Sequence, residues 1–135
     1  MTTQAASSLF SVAGKNVLVT GGSRGIGYMI AKGFTQAGAN VILTSRDEKA
    51  CSQAAADIQC QYVTSNVATR DGCEALAAQI SDLFQNRLDI LINNAGTSWG
   101  EPLERKSKTD WGWDKVLDLV RFLSLCFCLF VGAPA

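Results

Sequence analysis

A glycine-rich turn constrains this chain more than any other feature. Thr20-Gly21-Gly22-Ser23-Arg24-Gly25-Ile26-Gly27 follows the apolar run Val17-Leu18-Val19 and leads into residues at helical spacing, Ile26, Ile30, Phe34 and Ala37. A buried strand, a tight turn and a helix entered at once leave few folding solutions. Gly21 permits a sharp exit from the strand, Gly25 lets the backbone approach a pyrophosphate, and Gly27 lets the helix lie close to the sheet. Free N–H groups and the positive end of the helix dipole then face anionic oxygens, with Ser23, Arg24 and Ile26 in the same loop and first turn. The bland alternative is an ordinary glycine-rich turn without a ligand. The spacing is not G-x-x-x-x-G-K-[ST], which excludes an ATP- or GTP-binding P-loop.

The rest of the chain repeats the alternation. Val41–Thr44 reads as a second strand, and Asp47–Gln59 as a helix with Ala50, Ala54 and Ile58 on one face. Gln61–Thr64 is a third strand. Asp71–Phe84 is a third helix, with Asp71 and Glu74 as a capping box and Leu76, Ile80, Leu83 and Phe84 as its apolar face. Leu88–Ile92 is a fourth strand, closed by Asn93-Asn94-Ala95-Gly96. The order β-α-β-α-β-α-β predicts an α/β fold, a doubly wound parallel sheet with helices on both faces. Thr97–Thr109 is polar and reads as a loop, after which helical spacing resumes at Trp113, Val116, Leu117 and Val120.

Composition narrows the functions. Lys plus Arg and Asp plus Glu each number 12, so the formal net charge is zero, which argues against nucleic acid and against a polybasic membrane surface. There is no histidine, so Ser-His and Cys-His nucleophile pairs and His-ligated metals are excluded. The five cysteines are odd in number and form no C-x-x-C pair, a poor disulfide framework and a poor zinc site. They read as small buried hydrophobes in a reducing compartment, and a cytoplasmic protein is expected. Residues 1–14 are an uncharged leader without the basic start and apolar run of a signal peptide, until Lys15 opens the first strand. The longest uncharged apolar stretch, Phe122–Ala135, is shorter than the ~18 residues that span a bilayer, so no membrane is expected.

Thr20–Gly27 followed by Asn93–Gly96 resembles the T-G-x-x-x-G-x-G and N-N-A-G pair of the short-chain dehydrogenases/reductases. The run Trp111–Leu119 is similar to that family's helix after the fourth strand, and the likeness covers about residues 10 to 119. Within the family it is most similar to reductases of the 3-oxoacyl-thioester type. The resemblance implies a Rossmann-type domain and hydride transfer between a nicotinamide cofactor and a carbonyl or hydroxyl substrate. It also implies that Asn93, Ala95 and Gly96 line the ribose and nicotinamide. Dinucleotide folds usually carry an acid near the end of the second strand to hold the ribose 2′-hydroxyl of NAD. Here Ser45-Arg46 stands there, and a guanidinium suits the 2′-phosphate of NADP, so NADP is expected rather than NAD. Arg24 offers a second positive contact, while a solvated surface charge is the alternative for Arg46. Asp47 lies one place too late and reads as a helix cap. Asn66-Val67 matches the family's short acidic motif beside the adenine, with an amide in place of the carboxylate; a plain turn role is the alternative.

Chemistry in this family needs a tyrosine, a lysine four residues later and a serine. Tyr28 and Lys32 match the spacing alone, directly behind the phosphate turn and without the serine; Tyr62 has no such lysine. No catalytic residue is assigned. Where the family carries an asparagine that helps complete the catalytic relay, this chain has Val120, followed by a tail without amphipathic period. The expected organisation is a leader at 1–14, the N-terminal part of an NADP-binding domain at 15–119, and an apolar tail at 120–135 that departs from the family. A doubly wound domain has about six strands and needs ~180 residues or more, so the 135 residues read as an incomplete one. Three readings follow: the cofactor-binding portion of a reductase, inactive as given; a module that binds NADP or docks on partners; or a non-functional truncated product. A fourth strand at the sheet's edge also invites pairing with another copy. A small carbonyl compound is what the resemblance implies as the substrate of a full-length relative.

Overall fold

Aliphatic and β-branched runs bounded by glycines and polar turns form four short parallel strands. The computed structural model describes residues 9–97 and 115–121. Its elements run β1 (Asn16–Thr20), α1 (Gly25–Gln36), β2 (Asn40–Ser45), α2 (Glu48–Ile58), β3 (Gln61–Thr64), α3 (Arg70–Leu83) and β4 (Ile90–Ile92), with a helical segment at 115–121. The sheet order is β3-β2-β1-β4, all parallel. Val17 registers with Val41 and Ile90, and Leu18 with Ile42 and Leu91. The doubly wound parallel α/β architecture expected from the sequence is therefore present.

Because side chains alternate along a strand, the two faces bury different partners. Val17, Val19, Val41 and Leu43 meet α1 and α2 through Ala31, Cys51, Ala54, Ala55 and Ile58. Leu18, Ile42 and Val63 meet α3 through Cys73, Leu76, Ile80 and Phe84, and Leu119 of segment 115–121 closes that core. Each face thus has its own core, as strands buried on both sides require.

Several local expectations change. Thr69, not Asp71, caps α3: its hydroxyl accepts from Gly72 N at 3.1 Å, and Glu74 pairs instead with Arg70 at 2.7 Å. Only Asp71 and Glu74 have the capping-box spacing, and the loop at Asn66–Thr69, where Asn66 O accepts from Thr69 N and Oγ1, selects the earlier start. Ile26 and Leu83 are exposed, and Ala37 falls outside α1, whose buried residues are Gly27 and Ala31. The helix lies so close to the sheet that its fully buried positions are small residues, while Ile30 and Phe34 pack half-buried against the same core. Strand β4 is shorter than the run Leu88–Ile92, and its three residues are half-buried rather than enclosed. Of the leader, Val12 packs against the α1–α2 core and Gly14 N donates to Gly38 O at 2.9 Å. The helical segment at 115–121 includes Val116, Leu117 and Val120, where helical spacing resumes in the sequence. Residues 1–8, the loop 98–109, Trp111, Trp113 and the tail 122–135 with Cys126 and Cys128 lie outside the described residues. Among the described residues no helix is long and apolar enough to cross a membrane, and no cluster of side chains suits a metal ion.

Candidate functional site

In β3-β2-β1-β4 the chain order reverses between β1 and β4, and crevices outside the carboxyl ends of such a switch point hold ligands. The residues after β1 and β4 are the glycine turn and Asn93–Gly96. Thr20, fully buried at the end of β1, joins them: its Oγ1 donates to Ile92 O at 3.2 Å and accepts from Asn94 N and Ala95 N, both at 3.1 Å. The Asn94 side chain returns Nδ2 to Thr20 O at 3.2 Å and Gly21 O at 3.3 Å. Thr20 and Asn94 stand inside the two sequence motifs, but the motifs alone assign neither of them a role. The readable signal was a hydroxyl ending an otherwise apolar strand.

The glycine turn is shaped by contact. Gly21 has φ 67°, and a Cβ there would sit 2.9 Å from Ala95 Cα. A Cβ on Gly27 would lie 2.2 Å from Gly21 O, so this helix touches the turn as closely as backbone allows. Gly25 has φ 58° with nothing within 4 Å of its Cβ position. Helices α2 and α3 are capped by Asp47 and Thr69, but no side chain caps α1, whose N-cap is Arg24.

A groove of about 820 Å³ runs across all four strand ends. Of the residues expected at a cofactor site, Gly21, Ser23, Arg24, Ser45, Arg46, Asn66, Val67, Ala95 and Gly96 line it. Gly25, Ile26, Gly27 and Asn93 do not: Gly27 backs the turn, and Gly25, Ile26 and Asn93 face solvent. Thr44, Asp47, Ser65, Ala68, Asn94, Thr97 and, from segment 115–121, Lys115, Asp118 and Leu119 complete the wall. Those on 115–121 are remote in sequence, and only the tertiary fold brings them in. Asp47 caps α2 as expected, accepting from Ala50 N at 3.0 Å, and also faces Arg24 across 3.7 Å. Arg46 is exposed, and among the described residues no carboxylate pairs with it. Asn66 serves a turn as well as the groove, its Oδ1 accepting from Ala68 N at 3.1 Å.

These residues fit a dinucleotide on three observations. Among the described residues, the N–H groups at the start of α1 lack a side-chain cap, open space adjoins Gly25, and the buried Thr44 hydroxyl in the groove wall has no hydrogen-bond partner. Tyr28 and Lys32 are not in the groove wall. The Tyr28 hydroxyl bonds Asp57 of α2, and that carboxylate raises its pKa above the ordinary value. A catalytic lysine would push it the other way.

A family model described as short chain dehydrogenase matches residues 15–128. The rhamnolipids biosynthesis 3-oxoacyl-[acyl-carrier-protein] reductase of Pseudomonas aeruginosa is 46% identical over 114 residues, 82% of this chain and 43% of that protein. Gluconate 5-dehydrogenase of Gluconobacter oxydans is 38% identical over 112 residues, 76% of this chain and 42% of that protein. Among solved structures, the Pseudomonas aeruginosa RhlG/NADP active-site complex superimposes with TM-score 0.84 at 43% identity, covering 90% of this chain and 48% of that one. L-Sorbose reductase from Gluconobacter frateurii, complexed with NADPH and L-sorbose, gives 0.77 at 29% identity, covering 87% and 46%. The chain spans less than half the length of these relatives.

Proposed function

This chain belongs to the short-chain dehydrogenase family, and from that premise we propose that it is the NADP-binding portion of a carbonyl reductase. The carrying observation is a groove with an uncapped helix start on one side and a cationic strand end on the other, as the pyrophosphate at the middle of that cofactor and its 2′-phosphate require. On one side the uncapped start of α1 offers backbone N–H groups to the pyrophosphate. On the other, β2 ends in Ser45 and is followed by Arg46, which no carboxylate pairs with among the described residues, and there is no carboxylate at 45. Arg46 and Arg24 hold the 2′-phosphate, Ser45 hydrogen-bonds it, and Asn66 and Val67 border the adenine. Ala95 and Gly96 border the nicotinamide ribose, Asn93 stands outside the groove wall, and Thr20 with Asn94 keeps that loop in place. When bound, the cofactor exchanges hydride with a carbonyl or hydroxyl carbon. The solved relatives carrying NADP and NADPH support the choice of cofactor.

Calorimetric titration tests it. NADPH binds about tenfold or more tighter than NADH, and Arg46→Ala removes most of that difference, ~1.4 kcal/mol or more. Equal affinities, or a preference for NADH, overturn the proposal.

On the same reading this chain holds cofactor without turnover. The Pseudomonas aeruginosa relative's name points to 3-oxoacyl thioesters as the substrate class, yet Tyr28 is bonded to Asp57 of α2 and Lys32 lies over the Tyr28 ring, both outside the groove wall. Incubation with NADPH and a 3-oxoacyl thioester is expected to leave the absorbance of the reduced nicotinamide unchanged; steady oxidation would overturn this part. Residence in the cytoplasm and self-association through β4 belong to the same proposal.

A further inference from the structure

We infer that Asp47 sets how strongly the groove discriminates a 2′-phosphate from a 2′-hydroxyl, by holding Arg24 until a phosphate displaces it. This inference rests on the NADP reading above. Two guanidiniums, Arg24 and Arg46, stand where β2 ends, and both line the groove. They are not equivalent. Arg46 has no carboxylate partner among the described residues, whereas Arg24 Nη2 lies 3.7 Å from Asp47 Oδ2. The groove's other carboxylate, Asp118, pairs with Arg121 at 3.4 Å.

Asp47 is not free to swing away. Its Oδ1 accepts from Ala50 N at 3.0 Å and caps α2, so the backbone fixes the carboxylate at the rim. Its second oxygen then faces the glycine turn, and the pair bridges the β1 and β2 loops. A dianionic phosphate reaching this end must draw Arg24 from Asp47 while the carboxylate stays in place. A 2′-hydroxyl makes no such demand. The pair is solvent-exposed and therefore weak, which suits a partner to be exchanged rather than a permanent brace.

The test keeps the cap and removes the charge, since Asn caps as well as Asp. Asp47→Asn is expected to bind NADPH about three- to tenfold tighter while NADH changes by less than about twofold, a gain that shrinks at high salt. In an Arg24→Gln background the same substitution is expected to gain less than about twofold. Unchanged NADPH affinity in Asp47→Asn, or an equal gain with and without Arg24, overturns the inference. Failure of the NADP reading is seen separately, in the unsubstituted chain, as NADH binding as tightly as NADPH. Circular dichroism of each variant keeps loss of fold distinct from loss of binding.

Discussion

At the residue scale, two glycines of one motif do different work. Gly27 is packed, since its Cβ would meet Gly21 O at 2.2 Å and Asn94 Nδ2 at 2.5 Å. Gly27→Ala is expected to destabilise by about 3 kcal/mol, the upper end for overpacking, as measured by urea denaturation. Gly25 has open space but φ 58°, so Gly25→Ala strains the backbone by about 1–2 kcal/mol and puts a methyl where the ligand backbone contact belongs. It is expected to lose NADPH binding under conditions where the fold persists. The motif spacing made both glycines legible; which of them guards packing and which guards access was not, because that depends on what lies across from each Cβ.

At the element scale, β4 pairs with β1 at three registered positions, and Asp89 at its entrance adds two hydrogen bonds to Asn16. Its Oδ2 accepts from Asn16 N at 2.9 Å and its Oδ1 from Arg87 Nε at 3.1 Å. The Asn16 backbone N–H, and then Arg87, hold its carboxyl below the ordinary carboxylate value. A carboxylate depressed in the folded state stabilises the fold above about pH 4, and that gain is lost as pH falls through the folded value. Asp89→Asn is therefore expected to lower the urea midpoint at pH 7, with the gap to the parent closing toward pH 3. Element order was legible because each apolar run and each amphipathic stretch stood between glycine or polar breaks. The start of α3 was misread because Thr69 and Asp71 are both acceptable caps, and Asn66 O, bonding Thr69 N and Oγ1, decides between them.

For the whole molecule, the sheet is the frame and the groove its product. A cofactor that binds the folded chain alone stabilises it by about 2.7 kcal/mol at a hundredfold excess over Kd. Thermal melts with NADPH are expected to show that upward shift, and a smaller one with NADH at equal concentration. Among the described residues the outer edge of β4 is unpaired, which follows from the sheet order and not from any one residue. The sequence alone determined the alternation of strands and helices, the glycine turn and the Ser45-Arg46 ending of β2, because these depend on short-range periodicity and on residue type at fixed spacing. Tertiary structure alone decided that Thr20 and Asn94 join the two loops, that Lys115, Asp118 and Leu119 reach the groove, and that Asp47 faces Arg24. Those are meetings of residues far apart in the chain, fixed by how the sheet's strand order folds it back, and no local pattern encodes that distance.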